Sequence, residues 1–191
     1  MDSTLSVAPL GTIAIAAHSL AITVESLCYM PGYGIAEAAT TLVGQGIGAG
    51  QKVLTRSFAY MSVGLGIAVM TFMGILMWIF APELMSIMSP VEEVIAQGTQ
   101  VLRIEAWAEP MFAAAIVTNG VFIGAGDTMI PAAMSLCSMW FVRLTLAATL
   151  APRYGLKGVW TAMAVELFFR GSMFIVRLFK GGWSEKLKVK G

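Results

Sequence analysis

The sequence predicts an all-α, polytopic transmembrane helical bundle of about five spans, organised as one membrane unit over residues 1–191. Composition gives the first reason: 58% of residues are hydrophobic and only 12% are charged, against about 25% charged in an ordinary soluble domain. The second is a mean hydropathy of +0.80. The third is the layout of five apolar stretches, roughly 12–43, 58–81, 94–123, 129–151 and 156–179. Each can supply the ~20 residues that cross a ~30 Å hydrocarbon core.

The first stretch, GTIAIAAHSLAITVESLCYMPGYGIAEAATTLVG, is interrupted by Pro31, with Gly32 and Gly34 beside it. A proline inside a membrane helix frees a backbone carbonyl that neighbours must satisfy, so a kink is predicted and these three residues are the hinge candidates. Beyond Pro31 small residues dominate, and Gly44, Gly46, Gly48 and Gly50 make overlapping G-x-x-x-G pairs that allow a second helix to approach closely. The run GQGIGAGQ at Gly44 to Gln51 also contains a G-x-G-x-x-A match to a dinucleotide-binding loop. Such a loop must follow a short strand and open a helix. Here it follows a span of helical length, so it reads as a helix end with glycine supplying a left-handed cap. The phrase IGAG returns at Ile123 to Gly126, ending the third stretch, before Asp127 and Thr128.

The second stretch, SFAYMSVGLGIAVMTFMGILMWIF, carries no charge and is predicted to end at Ala81-Pro82, a lipid-facing or packing scaffold with Trp78 at the outer interface. The fourth carries Trp140 and Arg143 near its middle, and the fifth carries Trp160, Glu166 and Arg170. Lys52 and Arg56 follow the first stretch, while Arg177, Lys180, Lys186, Lys188 and Lys190 follow the fifth. By the positive-inside bias both regions are assigned to the cytoplasm, which places the C-terminus inside and the N-terminus outside. Glu83, Glu92 and Glu93 fit the outer side; Arg153 and Lys157 dissent. The start MDSTLSVAPLG lacks the charged region and cleavage site of a secretory signal.

A net charge of +1 gives no basic footprint for nucleic acid. Cys28 and Cys137 lie in apolar stretches far from any C-x-x-C spacing and read as packed thiols. His18 stands without a second metal-ligating residue at helical spacing and reads as a hydrogen-bonded structural histidine; no metal or cofactor is predicted. No Ser/His/Asp set, H-E-x-x-H or paired aspartate motif marks an intramembrane enzyme.

Four segments in order, LGTIAIAAHSLAI, PGYGIAEAATTLVGQGIGAGQ, NGVFIGAGDTMIP and GLKGVWTAMAVE, resemble the C-terminal half of multidrug and toxic compound extrusion (MATE) transporters. The most specific pieces are A-A-T-x-x-V-G-Q-x-x-G-A-G at Ala38 to Gly50 and G-x-x-x-G-A-G-D-T at Gly120 to Thr128. The resemblance implies a fold of twelve helices in two six-helix lobes around a cleft of alternating access. It implies efflux of organic, often cationic, compounds in exchange for protons or sodium ions, from the cell (inner) membrane. The five stretches then match helices eight to twelve. The expected partners are small organic cations, membrane lipids, and a missing N-terminal lobe or complementary chain. Many family members carry an acid near the position of Phe112 and another in the seventh helix; the first is aromatic here and the second lies outside the chain.

Charges at membrane depth are costly, by estimates from about 2.5 kcal/mol upward, and mark functional candidates. Glu25 lies near the centre of the first stretch, with Glu37 three turns further on. Glu105 and Glu109, four apart, are predicted on one helical face, with Pro110 beside the second. Glu25, Glu109, Glu105 and Glu37 are the cation- and substrate-binding candidates, joined by Tyr29 and Tyr33, whose rings share a face around Pro31. Structural readings stand beside these. Glu37 can be held by the Thr40 and Thr41 hydroxyls, Glu105 can pair with Arg103 or Arg143, and the tyrosines can be packing. Glu166 with Arg170 reads as a self-neutralising ion pair. The rival functions are a lipid-linked saccharide flippase, favoured if Arg143 and Arg170 face the cavity, and a non-transporting truncated remnant.

Overall fold

The computed structural model describes residues 11–185. Lys186, Lys188 and Lys190, and residues 1–10 of the N-terminal stretch, lie outside them. The described residues are helical almost throughout, without a strand. Helix α1 covers Thr12–Gly48, α2 Lys52–Met88, α3 Glu92–Ala106, α4 Glu109–Gly124 and α5 Met129–Cys137. A π-helical segment, Ser138–Arg143, leads into α6, Leu144–Lys180, and a short α7 closes at Gly182–Glu185.

Helix α1 runs unbroken through Pro31, and α2 runs unbroken through Pro82. The predicted end of the second stretch at Ala81-Pro82 is therefore corrected: α2 continues to Met88. Packing explains the extension, because Ala81 and Met85 are fully buried and the Met85 side chain lies over Gly98 of α3.

The third stretch is not one straight helix. Helices α3 and α4 meet at a 56° bend across Trp107 and Ala108. Pro110 is the cause: it has no N–H to offer the carbonyl four residues back, and its ring crowds that carbonyl. The freed carbonyl belongs to Ala106, and it lies against Gly74 of α2, where an added Cβ would come within 2.9 Å of it. A neighbouring glycine thus makes room for the break.

Helix α6 is interrupted at Gly155, whose φ of 59° and ψ of −138° leave helical space. The chain folds back there. Ser138 and Glu166 are 28 residues apart yet hydrogen-bonded at 2.7 Å; along a straight helix that separation would be roughly 40 Å. Gly158 permits the tight reversal, since a Cβ there would overlap the Leu150 carbonyl.

The two IGAG phrases end α1 and α4 in the same way. Gly50 N–H bonds Ile47 O and Gln51 N–H bonds Gly46 O; Gly126 N–H bonds Ile123 O and Asp127 N–H bonds Phe122 O. With Gly50 at φ 69° and Gly126 at φ 73°, both are Schellman caps. Of the predicted glycines, Gly46 packs on Thr55 of α2, whose Oγ1 lies 2.5 Å from where its Cβ would stand, and a Cβ on Gly44 would touch the Gly124 carbonyl of α4 at 3.7 Å, but the tightest approach of α1 to α4 is made by glycines of α4. A Cβ on Gly120 would overlap the Ala36 carbonyl and one on Gly124 the Thr40 carbonyl, while Gly48 and Gly50 meet nothing within 4 Å. Nothing in the structure explains the glycine at position 48.

Two apolar clusters hold the bundle. One joins Ala17, Ala21 and Cys28 of α1 to Met77, Leu102 and Trp160. The other joins Ala39 and Val43 to Val121, Phe122, Phe174 and Leu178. At the end nearest the second cluster, Arg177 pairs with Asp127 and lies 4.8 Å from the Phe122 ring centroid. Tyr60 stacks on Phe179 at 5.6 Å. The caps of α1 and α4 and the end of α6 therefore share one face of the bundle.

Candidate functional site

Glu25, Tyr29, Tyr33 and Glu37 recur every fourth residue of α1 and form one stripe. The stripe grades from a buried carboxylate at Glu25 to an exposed one at Glu37. Tyr29 and Tyr33 meet edge-to-face at 5.5 Å, and both rings meet Phe112 of α4, at 5.8 and 6.4 Å. The shared face predicted around Pro31 is present, and Phe112 completes it as a three-ring wall.

Glu25 is buried at one end of the stripe, and Glu105, Glu109 and Glu166 are buried as well. Glu25, Glu109, Glu166 and Arg143 all act electrostatically on Glu105, and Arg170 pairs with Glu166. One oxygen of Glu105 and both oxygens of Glu109 are buried without a hydrogen-bond partner. Such groups cost about 1–3 kcal/mol each when left unpaired. The predicted common face for Glu105 and Glu109 is corrected by the 56° bend, which puts them on different helices, α3 and α4, on either side of the break. They remain within electrostatic reach of each other.

Arg103 turns away from Glu105, with its Nε donating to Trp78 O at 3.4 Å and its guanidinium 5.1 Å from the Trp78 ring centroid. The Thr40 hydroxyl bonds the carbonyls of Ala36 and Gly120, and the Thr41 hydroxyl bonds the Glu37 carbonyl, so neither holds the Glu37 carboxylate. Glu166 does pair with Arg170, at 3.4 Å, and also accepts from Ser138 at 2.7 Å. His18 accepts from the Trp160 indole at 3.1 Å. Cys28 and Cys137 are free thiols, the first buried and the second exposed. Among the described residues no three His, Cys, Asp or Glu side chains converge closely enough to hold a metal ion.

Of the hinge candidates, Gly32 is packed, with Ile116 2.8 Å from where its Cβ would stand, whereas Gly34 faces open space. Gly34 is one residue past Tyr33, which lines a groove of about 230 Å³ together with Glu37, Phe112, Asn119, Ser135 and Arg170. Asn119 and Ser135 were not anticipated as site residues, although an asparagine inside an apolar stretch is itself a signal. Ser138 carried no such signal. The π-helical segment it opens belongs to a class of distortion frequent at functional sites.

The MatE family model matches residues 1–149, most of the chain. The chain belongs to the MATE family. It is similar to the probable multidrug resistance protein NorM of Thermotoga maritima, 29% identical over 178 residues that cover 92% of this chain and 38% of that protein. The Pasteurella multocida protein of the same name is 32% identical over 184 residues, 92% of this chain and 39% of the relative. The chain thus spans about two-fifths of the length of these curated relatives. Among solved structures, the Vibrio cholerae MATE transporter VcmN in its bent form superposes with a TM-score of 0.88 at 18% identity, covering 97% of this chain and 42% of that one. A transporter of the MOP superfamily from Pyrococcus furiosus, described as having a binding pocket of reverse polarity, superposes with a TM-score of 0.85 at 14% identity, covering 99% and 42%. At these identities the structural likeness establishes the fold. MATE proteins are transporters rather than enzymes, and the apolar helices make this one a multi-pass membrane protein.

Proposed function

We propose that this MATE chain forms part of the C-terminal lobe of a secondary active efflux transporter that exports organic cations in exchange for protons or sodium ions. The observation that carries the reading is the α1 stripe, which joins a buried carboxylate at Glu25 through two tyrosines to an exposed carboxylate at Glu37. Aromatic faces attract organic cations. Buried acids with unpartnered oxygens, Glu109 above all, gain most when a cation or a proton arrives. In the mechanism, a carboxylate near the cleft holds either the coupling ion or the cargo cation, and that competition links the two fluxes. Coupling further requires that affinity differ between the inward and outward states. A chain two-fifths the length of its relatives supplies one side of such a cleft, and a complementary lobe supplies the other.

The collection of Lys52, Arg56, Arg177 and Lys180 at one end of the sequence's predicted spans supports a cytoplasmic assignment for that end, in the cell (inner) membrane. The flippase reading gains one point, since Arg170 lines the groove. Its charge is offset by Glu166, however, and Glu37 lines the same groove, so the pocket is not the cationic cradle a pyrophosphate needs.

The test is ethidium extrusion from a pump-deficient bacterial host expressing the chain alone or together with a first lobe from a MATE relative. Extrusion is expected only with the complementary lobe. It should stop when the ion gradients are dissipated and fall about tenfold or more in Glu25→Gln and Glu109→Gln. Extrusion by the chain alone overturns the one-lobe reading. Full activity in both glutamine variants overturns the carboxylate mechanism, and lipid-linked saccharide translocation without dye extrusion favours the flippase.

A further inference from the structure

A second cavity, of about 300 Å³, lies at the end of the bundle away from the caps of α1 and α4. It joins Gln97 and Gln100 of α3 to Tyr154 and Lys157 at the reversal of α6, with Val101 and Leu156 as apolar wall. Among the described residues no carboxylate lines it. Roughly 40 Å of helix separates Gly155 from Lys180, so this end stands about one bilayer away from the Arg177 face. The volume is at the small end of the roughly 300–1,000 Å³ found for ligand pockets, room for a headgroup.

Arg103 sets the depth. Its side chain is tied to the Trp78 carbonyl and lies over the Trp78 ring, and a tryptophan with a snorkelling arginine marks the level where hydrocarbon gives way to headgroups. Gln100 and Gln97 stand about one and two turns further out along α3, roughly 5–9 Å beyond Arg103. The headgroup layer on each side of a bilayer is itself roughly 5–8 Å thick. The cavity therefore lies among lipid headgroups.

Its donors have no partner within the chain. Among the described residues no hydrogen bond or ion pair engages the Lys157 ammonium, the Tyr154 hydroxyl or the neighbouring Arg153 guanidinium, and all three side chains are exposed. Glu83, Glu92 and Glu93 share this end without pairing with either cation. Arg153 and Lys157 are the two charges that run against the positive-inside bias, and a local anion accounts for their retention.

We propose that this cavity holds the headgroup of an anionic phospholipid, with Lys157 and Tyr154 on the phosphate oxygens, Gln97 and Gln100 on headgroup hydroxyls, and Arg153 adding a second cation beside them. The site rests on the membrane placement and not on the transport reading; in the orientation proposed above the lipid belongs to the outer leaflet.

Native mass spectrometry of the purified full chain in detergent tests it, with dioleoylphosphatidylglycerol, dioleoylphosphatidylcholine and inorganic phosphate as probes. Phosphatidylglycerol should be retained about tenfold or more over phosphatidylcholine, since each basic residue near a membrane surface strengthens anionic-lipid binding about fivefold. Lys157→Gln, at an exposed position that does not threaten folding, should cut that preference about fivefold. Tyr154→Phe, which removes only the hydroxyl, should cut it about threefold. Lys52→Gln removes the same charge at the opposite end and should leave it unchanged. Equal retention of the two lipids, or a Lys157→Gln chain with the full preference, would overturn the site. Equal losses in Lys157→Gln and Lys52→Gln would mean diffuse attraction and also overturn it, and displacement of the lipid by an equal concentration of inorganic phosphate would make the cavity a site for soluble anions instead. If the preference holds but the complemented assembly extrudes no dye, the lipid site stands and the transport reading falls.

Discussion

Trp160 donates its indole N–H to Nδ1 of His18 at 3.1 Å, across 142 residues of sequence and with both side chains fully buried. The rings meet edge-on at 5.8 Å, so one contact ties the first half of α1 to the returning arm of α6. The bond also fixes the neutral imidazole with its proton on Nε2. Trp160→Phe removes the donor, and a loss of about 1 kcal/mol is expected in reversible unfolding of the detergent-solubilised chain. A double-mutant cycle with His18→Ala should show coupling of similar size. Additive single effects would mean the bond contributes nothing.

The glycines divide into two groups with opposite expectations. Gly120→Ala and Gly124→Ala force a methyl into the Ala36 and Thr40 carbonyls of α1. Each should cost about 1–3 kcal/mol through displaced packing. Gly34→Ala meets nothing within 4 Å and lies inside a helix. Alanine there should be neutral or stabilising by up to about 1 kcal/mol. Thermal melting of the three variants decides the point, and a destabilised Gly34→Ala would show that α1 bends at that residue in another state.

Arg177 binds Asp127, whose carboxylate is 3% exposed, and its guanidinium also covers the Phe122 ring. Arg177→Gln takes a positive charge from a buried acid, and a cost of about 3–5 kcal/mol is expected. Arg177→Lys keeps the charge but loses the planar stacking and should recover only part of it. Folded yield and melting temperature report both, and a Gln variant as stable as the parent would mean that the pair is replaceable.

Much of this was legible in the sequence because membrane helices announce themselves by length and hydropathy. The caps at Gly50 and Gly126 were legible too, since only glycine adopts the required φ cheaply. The same local rules misjudged proline. Pro82 carries the local signature of a stop, yet α2 passes it because Met85 packs on Gly98, whereas Pro110 breaks a stretch whose hydropathy is continuous. The difference lies in tertiary surroundings, where Gly74 accommodates the carbonyl that Pro110 frees. The acidic candidates were identifiable one by one from their depth. Their gathering was not, because they come from α1, α3, α4 and α6, and Glu166 joins them only through the reversal at Gly155.

Glu109 gives the sharpest separation between stability and function. Both its carboxylate oxygens are buried without a hydrogen-bond partner, and the residue is 1% exposed. A group in that condition opposes folding, and replacing it with an apolar residue of similar shape removes the penalty, so Glu109→Met should be neutral or stabilising by about 1–3 kcal/mol. If the carboxylate is retained for ion coupling, the same substitution should abolish dye extrusion by the complemented assembly. Glu105→Met is the internal comparison, since only one of its oxygens is buried without a partner and its stability gain should be smaller. Melting temperature and extrusion measured on the same membranes read both effects. A Glu109→Met protein that loses stability would reveal a partner for this carboxylate, and one that keeps extrusion would remove Glu109 from the coupling mechanism.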